Sequence, residues 1–126
     1  MQGIEIIGTG REIPEKVVTN DYFGSYLETD DEWISSRTGI KRRHFCVEEK
    51  NYELAAGAAK KAMANAGVTP EEIGVMIVAT FSPDYATPSV SCILQKELGL
   101  LTNIPVFDIN AACAGFLYAT RIAGSL

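Results

Sequence analysis

The chain has 126 residues, of which 47% are hydrophobic and 21% charged, a composition that indicates a folded globular protein and excludes intrinsic disorder. Its formal net charge of −5 argues against general nucleic-acid binding, although the segment Lys41-Arg42-Arg43 is locally basic. The three cysteines are widely spaced without a CxxC pair, so we expect a reducing, cytoplasmic setting with neither a disulfide framework nor a metal site.

The first half of the chain predicts short strands that alternate with short helices. Its N-terminal residues lack the basic and apolar regions of a signal peptide, and no apolar run approaches the roughly 20 residues of a membrane span, so neither export nor membrane insertion is expected. Thr29 or Asp30 is positioned to cap a helix that Gly39 ends. The predicted elements are a buried strand at 4–7, an extended piece at 17–18, a helix near 21–27, a helix from 31 to about 37 and a strand at 40–47.

The second half alternates strands with helices, which predicts an α/β fold with a mainly parallel sheet covered by helices. The apolar run from Val75 to Ala79 is typical of a strand that is covered on both faces. The predicted elements are helices at 52–65, 88–98 and 113–126, a helical turn at 69–72, and strands at 75–79 and 105–109. Because the last helix is mostly apolar, we expect the chain to be incomplete, with another polypeptide covering that helix.

Cys113 is the candidate nucleophile, because it lies where the apolar strand at 105–109 gives way to the last helix. Backbone N–H groups and the dipole at a helix N-terminus stabilise a thiolate, which is the form of cysteine that attacks an acyl group. The small neighbours Ala112, Ala114 and Gly115 leave room for a substrate carbonyl. The alternative is a buried, inert cysteine, which is the commoner fate of a single cysteine in an apolar segment.

Several motifs occur in one order along the chain. They are Ile6-Ile7-Gly8-Thr9-Gly10, Thr19-Asn20, Asp31-Glu32-Trp33-Ile34, Arg37-Thr38-Gly39-Ile40, Pro88-Ser89, Phe107-Asp108 and the segment 110–116 around Cys113. Together they resemble the N-terminal portion of the β-ketoacyl-[acyl-carrier-protein] synthase III family, from Ile4 to the last residue. The resemblance implies that residues 1–126 are the N-terminal part of a thiolase-like domain, which is built from two similar α/β halves and normally forms a homodimer.

The resemblance also implies a reaction. In the family, a cysteine takes an acyl group from acyl-CoA, which is a substrate rather than a cofactor, and the acyl group is condensed with malonyl-acyl-carrier protein to start fatty-acid synthesis. Carried over to this chain, Cys113 would be acylated, and its own backbone N–H would donate to the thioester oxyanion. The family's catalytic histidine and asparagine come from the second half of a longer chain, so this chain alone is expected to be inactive in condensation.

Three residues match the family's coenzyme A site: Thr29, Trp33 and Arg37. At positions i and i+4 of one helix, the Trp33 indole and the Arg37 guanidinium can form a slot that grips a flat adenine. The alternatives are that Trp33 anchors a core and that Arg37 is a solvated surface charge. Thr87 matches the segment beside the partner's acyl pocket, where threonine leaves space for acyl groups longer than acetyl.

The remaining chemically notable residues have more ordinary interpretations. The basic segment 41–43 binds either the phosphates of coenzyme A or an acidic carrier protein, or it is a solvated edge strand. His44 is interpreted as structural or surface, and Cys46 and Cys92 as packing residues.

Other functions remain open at this point. The chain could be a non-catalytic, truncated module for binding or assembly, or a related thiolase-fold acyltransferase such as a polyketide starter synthase. The Trp33 and Arg37 pair favours synthase III over such relatives. A cysteine hydrolase would need a histidine base, and His44, the only histidine, has no supporting motif.

Overall fold

The structure, a computed structural model, describes residues 3–126, which belong to two compact units. The larger unit combines the chain up to Glu12 with Lys50–Leu126, and the smaller unit is Ile13–Glu49. The expectation that the whole chain is part of one domain stays a prediction. Within residues 3–126, no helix has both the length and the apolar character that crossing a membrane requires.

The smaller unit is built on a pair of antiparallel strands. β1 (Lys16–Thr19) pairs with β2 (Arg42–Phe45) in a register that places Val17 opposite His44. Two helices lie between these strands in the chain: α1 (Asp21–Gly24) and α2 (Asp31–Thr38). The four predicted segments are therefore confirmed, although the helix near 21–27 and the strand at 40–47 are shorter than expected.

Local signals define both ends of α2. The Asp30 carboxylate accepts a hydrogen bond from the backbone N–H of Trp33 at 2.7 Å, which satisfies one of the free amides of the first turn. Gly39 ends the helix with a φ of 70°, a conformation that glycine adopts without steric cost. Asp30, rather than Thr29, is therefore the cap.

A buried amide joins the elements of the smaller unit. Asn20 follows β1 and has only 1% of its surface exposed. Its side-chain nitrogen lies 2.8 Å from Asp31 Oδ1, 3.2 Å from Ser35 Oγ and 2.8 Å from the carbonyl oxygen of Ile40. Its side-chain oxygen accepts a hydrogen bond from the Arg43 guanidinium at 2.7 Å. Both polar atoms of the amide are thus bonded, as burial requires.

The larger unit contains a two-stranded parallel sheet and three helices. The elements in chain order are α3 (Asn51–Ala66), β3 (Met76–Ala79), α4 (Val90–Glu97), β4 (Val106–Ile109) and α5 (Gly115–Ala123), with a 3₁₀ turn at Pro70–Glu72. β3 and β4 run parallel with Met76 opposite Val106. The predicted β-α-β-α order, the parallel pairing and the α/β class are therefore confirmed.

The core of the larger unit lies between α3, α4 and the sheet. Its buried apolar side chains are Ala56 of α3, Val90 and Leu94 of α4, and Leu98 and Leu100 of the following segment. Met76 and Val78 pack against this cluster, because alternate residues of a strand point to the same face. One face of β3 is thereby held against α4. This contact fixes the position of the carboxyl end of β3 relative to α4.

One expectation about the strands is wrong. Residues 4–7 form no strand, and Ile4, Ile6 and Ile7 are 49%, 70% and 61% exposed. A strand needs the backbone groups of a neighbour, and among the described residues β3 and β4 pair only with each other. β3 is contacted by both α4 and α5, and its residues Met76, Ile77 and Val78 are all partly buried, which agrees with a strand that has helices on both faces; its last residue, Ala79, is exposed.

The segment before Glu12 lies against α3 through its glycines. The backbone N–H of Thr9 donates to Asn65 Oδ1 at 3.0 Å. The Gly10 backbone lies so close to the backbone of Ala58 and Ala62 that a Cβ atom at this position would overlap both residues. A residue without a side chain is therefore required for this contact.

We predict that Gly10→Ala lowers the free energy of unfolding by about 1–3 kcal/mol, the usual cost of overpacking against groups that do not yield. Urea unfolding followed by circular dichroism measures the change. Gly74→Ala is the matched control, since no atom lies within 4 Å of the Cβ position at Gly74. An equal loss in the two variants would contradict the close packing at Gly10.

Asp31 is expected to make stability depend on pH. Hydrogen bonds from the Asn20 amide and then from the Ser35 hydroxyl lower the pKa of the Asp31 carboxyl below its ordinary value of 3.8, and the charge of Lys41 acts in the same direction. The folded protein therefore binds this proton less readily than the unfolded chain. The resulting stability is present above the ordinary pKa and is lost as the pH falls through the lowered one.

We predict that Asp31→Asn reduces the fall in Tm between pH 6 and pH 3, about the range in which an ordinary carboxyl begins to be protonated. Thermal denaturation at a series of pH values measures this fall. Glu32→Gln removes the neighbouring carboxylate and is the control. The coupling is refuted if Asp31→Asn shows the same acid sensitivity as the unmodified protein.

Candidate active site

Cys113 lies in the connection between β4 and α5. A 3₁₀ turn at Ala112–Ala114 follows β4, and the α-helix begins at Gly115. The cysteine is therefore in the turn that precedes the helix, two residues before its start, and its side chain is exposed. The predicted strand, turn and helix are confirmed, with the helix starting later than expected. The alternative of a buried cysteine is wrong.

The backbone of this turn is strained at one residue. Ala112 has a φ of 44°, and it is the only residue other than glycine with a positive φ in the described part of the chain. Such a conformation costs of the order of 1–3 kcal/mol and persists only where the surrounding structure imposes it. Ala114 N donates to the Ala111 carbonyl oxygen at 3.0 Å, which closes the turn around Cys113.

Two contacts fix the ends of the turn. Gly115 is buried, and a Cβ atom at that position would lie 3.0 Å from the Ala79 side chain at the end of β3. On the other side, the Asp108 carboxylate accepts hydrogen bonds from the backbone N–H groups of Val90 at 2.8 Å and Ser91 at 2.9 Å. The strand before Cys113 is thus tied to the start of α4, where a negative charge is favoured.

Sequence reasoning did not assign this role to Asp108. The residue belongs to the Phe107-Asp108 motif, but the residues next to a carboxylate in a strand do not indicate which distant group it will bind. The amides of α4 that it binds lie 17 and 18 residues earlier in the chain. Only the parallel pairing of β3 with β4 brings the two segments together.

Cys113 lines an open groove of about 690 Å³ in the larger unit. The walls come from α3, β3, α4 and α5 and are mostly apolar; they include Ala55, Val78, Phe116 and Ala119. Sites for small molecules are commonly concave and apolar with few polar groups. The groove therefore suits a hydrocarbon chain attached to a group that reacts with the thiol.

In the smaller unit, Trp33 and Arg37 lie against each other. The carbon of the Arg37 guanidinium is 4.4 Å from the centre of the indole ring, and Trp33 is 52% exposed. Trp33 is therefore not a core anchor. The expected slot between the two groups is closed, because a base needs about 3.5–4 Å on each of its faces and the guanidinium is attracted directly to the ring.

Two hollows are lined in part by Trp33. An apolar one of about 440 Å³ is lined by Phe23, Leu27, Thr29, Ile34 and Arg43 among others, and a polar one of about 250 Å³ by Asp30, Glu32, Ser36 and Arg37. The hydroxyl oxygen of Thr29 is buried and makes no hydrogen bond. A buried hydroxyl without a partner is costly, and because this atom is closed to solvent, a ligand in the apolar hollow reaches it only when a neighbouring side chain moves aside.

The basic segment 41–43 divides into one inward-facing and two exposed side chains. Arg43 is directed inward, where it binds Asn20 and stacks on Phe23 at 4.7 Å. Lys41 and Arg42 are exposed. Within this segment, these two cations are open to an anionic partner, and both interpretations of the segment stay predictions.

The other candidate residues are placed as follows. His44 Nδ1 lies 2.6 Å from the Pro14 carbonyl oxygen, which agrees with a structural role. Cys46 and Cys92 are exposed, so their interpretation as packing residues is wrong.

Thr87 is exposed in the connection between β3 and α4. No group of three or more His, Cys, Asp and Glu side chains within residues 3–126 is arranged to hold a metal ion.

Comparison with known proteins identifies relatives over the whole chain, although no family model matches it. The chain is 50% identical over 123 residues to a β-ketoacyl-[acyl-carrier-protein] synthase III of Clostridium acetobutylicum, covering 98% of this chain and 38% of that protein. It is 46% identical to a synthase III of Neisseria meningitidis, covering 99% and 39%. The chain thus spans about two fifths of the length of these relatives.

Solved structures give the same result. A crystal structure of 3-oxoacyl-[acyl-carrier-protein] synthase III from Aquifex aeolicus is 44% identical, with a TM-score of 0.92 over 98% of this chain and 40% of that one. The priming β-ketosynthase of the R1128 polyketide pathway is 34% identical, with a TM-score of 0.87 over 94% and 36%. The thiolase-like fold implied by the sequence motifs is confirmed.

Proposed function

Because this chain belongs to the β-ketoacyl-[acyl-carrier-protein] synthase III family, as an N-terminal portion of it, we propose that Cys113 is the acyl acceptor of such a synthase. The observation that carries the proposal is the exposed thiol in a strained turn between a strand and a helix, beside an apolar groove. Strained backbone and concave apolar surfaces are both features of functional sites.

In the proposed reaction, the Cys113 thiolate attacks the carbonyl carbon of acyl-CoA. A carbon–sulfur bond to Cys113 forms, the bond to coenzyme A breaks, and coenzyme A leaves as a thiolate that takes up a proton. The Cys113 backbone N–H stabilises the negative oxygen of the intermediate. The acyl chain occupies the apolar groove, where its burial contributes about 0.8 kcal/mol per CH₂ group.

The second step, condensation with malonyl-acyl-carrier protein, releases carbon dioxide and returns the Cys113 thiol. We propose that this chain by itself does not catalyse that step. Its only histidine is His44, whose ring nitrogen Nδ1 already faces the Pro14 carbonyl oxygen. We also propose a cytoplasmic homodimer, and a reducing compartment suits a reaction that requires a free thiol.

The smaller unit is proposed to hold the adenine of coenzyme A. The exposed indole of Trp33 offers a flat surface for stacking. The Thr29 hydroxyl, which is buried without a partner, gains a hydrogen bond to the ligand when a neighbouring side chain moves aside. Since Arg37 already covers one face of the indole, the base stacks on the other face or displaces the guanidinium. Arg37 then contributes charge toward the phosphates.

The polyketide starter synthase remains the second candidate. The R1128 enzyme shares the fold, but its identity of 34% is below the 50% of the clostridial synthase III. Synthase III is therefore the function that the comparisons support better. The non-catalytic module is distinguished from both by the acylation experiment that follows.

We predict a single acyl adduct on Cys113 when the protein is incubated with acetyl-CoA and digested for mass spectrometry. Cys113→Ala abolishes the adduct, whereas Cys46→Ala and Cys92→Ala retain it. These two cysteines are suitable controls because they are also exposed and free. Equal labelling of all three cysteines, or none on Cys113, would count against the acyl acceptor and favour the non-catalytic module.

We predict that coenzyme A quenches the fluorescence of Trp33, which is the only tryptophan of the chain. Arg37→Ala is expected to weaken coenzyme A binding about three- to tenfold, which corresponds to a cation–π or phosphate contact of about 1 kcal/mol. Lys16→Ala is the control, since Lys16 is an exposed cation of β1 that lines neither hollow at Trp33. An unchanged affinity in Arg37→Ala would remove Arg37 from the proposed site.

Thr87 is proposed to allow acyl groups longer than acetyl. Thr87 does not line the groove beside its own Cys113, so the proposed role acts across the homodimer, on the partner's acyl pocket. We predict that in the dimer Thr87→Phe slows acylation by hexanoyl-CoA about tenfold or more relative to acetyl-CoA, because a bulky ring narrows the partner's pocket. Thr87→Ser is the control, and the measurement is the ratio of the two acylation rates. A strong preference of the unmodified protein for acetyl-CoA would contradict this role.

A further inference from the structure

The helix that carries Trp33 and Arg37 has little apolar burial, since Ile34 is its only partly buried apolar side chain. α2 has eight residues, and none of them is buried. Isolated helices shorter than about 12–15 residues are marginal in water, so contacts outside α2 have to fix it. The buried side chain that bonds to α2 is the amide of Asn20, at 1% exposure.

The Asn20 amide holds one side of α2. Its nitrogen bonds to Asp31 in the first turn and to Ser35 one turn later, which lie at positions i and i+4 on the same face. A third bond reaches the Ile40 carbonyl oxygen just beyond the helix end. The helix is therefore held at its beginning, its middle and its end by a single side chain.

The opposite side of α2 displays the proposed adenine site. Trp33 and Arg37 each follow a held residue by two positions, which turns them about 200° around the helix axis at about 100° per residue. The Asn20 oxygen is in turn fixed by Arg43 from β2. The amide therefore connects both strands of the smaller unit to the orientation of the indole.

We propose that Asn20 is a positioning residue for the adenine platform formed by Trp33 and Arg37. This inference rests on the proposed function, because it assumes that the platform binds the nucleotide part of coenzyme A. Asn20 does not touch the ligand. It sets the angle of α2, and hence the direction in which the indole and the guanidinium face the base.

The test compares the affinities of coenzyme A and of pantetheine, which lacks the nucleotide, by isothermal titration calorimetry on the purified protein. Asn20→Ala is expected to weaken coenzyme A binding about five- to tenfold and pantetheine binding less than twofold. The ratio of the two affinities separates positioning from a general loss of folded protein, which would lower both equally. Fluorescence of Trp33 provides an independent measure of a changed environment.

Asn51→Ala is the matched control. Asn51 is a partly buried asparagine of the larger unit whose amide donates to the Ser82 carbonyl oxygen at 3.1 Å, so its removal costs side-chain hydrogen bonding away from the proposed adenine site. This variant is expected to keep the preference for coenzyme A. If Asn20→Ala does not fold, Asn20→Ser retains one donor in a smaller side chain and is judged by the same ratio.

The two possible failures are distinguishable. If the unmodified protein binds coenzyme A no better than pantetheine, the proposed adenine site fails and the inference about Asn20 fails with it. If the unmodified protein prefers coenzyme A and the folded Asn20 variant keeps that preference in full, the proposed site stands and the positioning role of Asn20 is refuted.

Discussion

The turn between β4 and α5 is the constraint on which the candidate active site depends. Its backbone is strained at Ala112, and the strain persists because both ends of the turn are fixed. Asp108 binds the first amides of α4, and Gly115 brings the start of α5 against Ala79. The exposed position of Cys113 is therefore a consequence of packing on both sides of the sheet end.

The two units position their functional groups by different physical means. In the larger unit, apolar burial between α3, α4 and β3 supplies a rigid base, and the cysteine emerges at its edge. In the smaller unit, α2 has no fully buried residue, and hydrogen bonds from the amide of Asn20 join this helix to the neighbouring strands. Polar networks of this kind specify a unique geometry only when all of their members are bonded.

The order and type of the elements could be predicted from the chain because their signals are local. Gly39 and Gly67 adopt left-handed conformations at the ends of α2 and α3, and Ser89 caps α4 with a hydrogen bond to Cys92. The parallel pairing of β3 with β4 followed from the alternation of strands and helices. Cys113 was recognisable as a nucleophile from its place between a strand and a helix.

The sequence by itself determined the element order, the α/β class and the candidate residues, because caps, glycines and apolar periodicity act over a few neighbouring positions. Only the tertiary structure decided which strands pair and how distant polar groups meet. Because residues 4–7 find no partner strand, they are exposed. Asp108 with α4, Asn20 with α2 and the closed stack of Arg37 on Trp33 all depend on side-chain directions in space. Such contacts carry no local signal, because hydrogen bonds and cation–π attraction depend on distance and angle rather than on spacing along the chain.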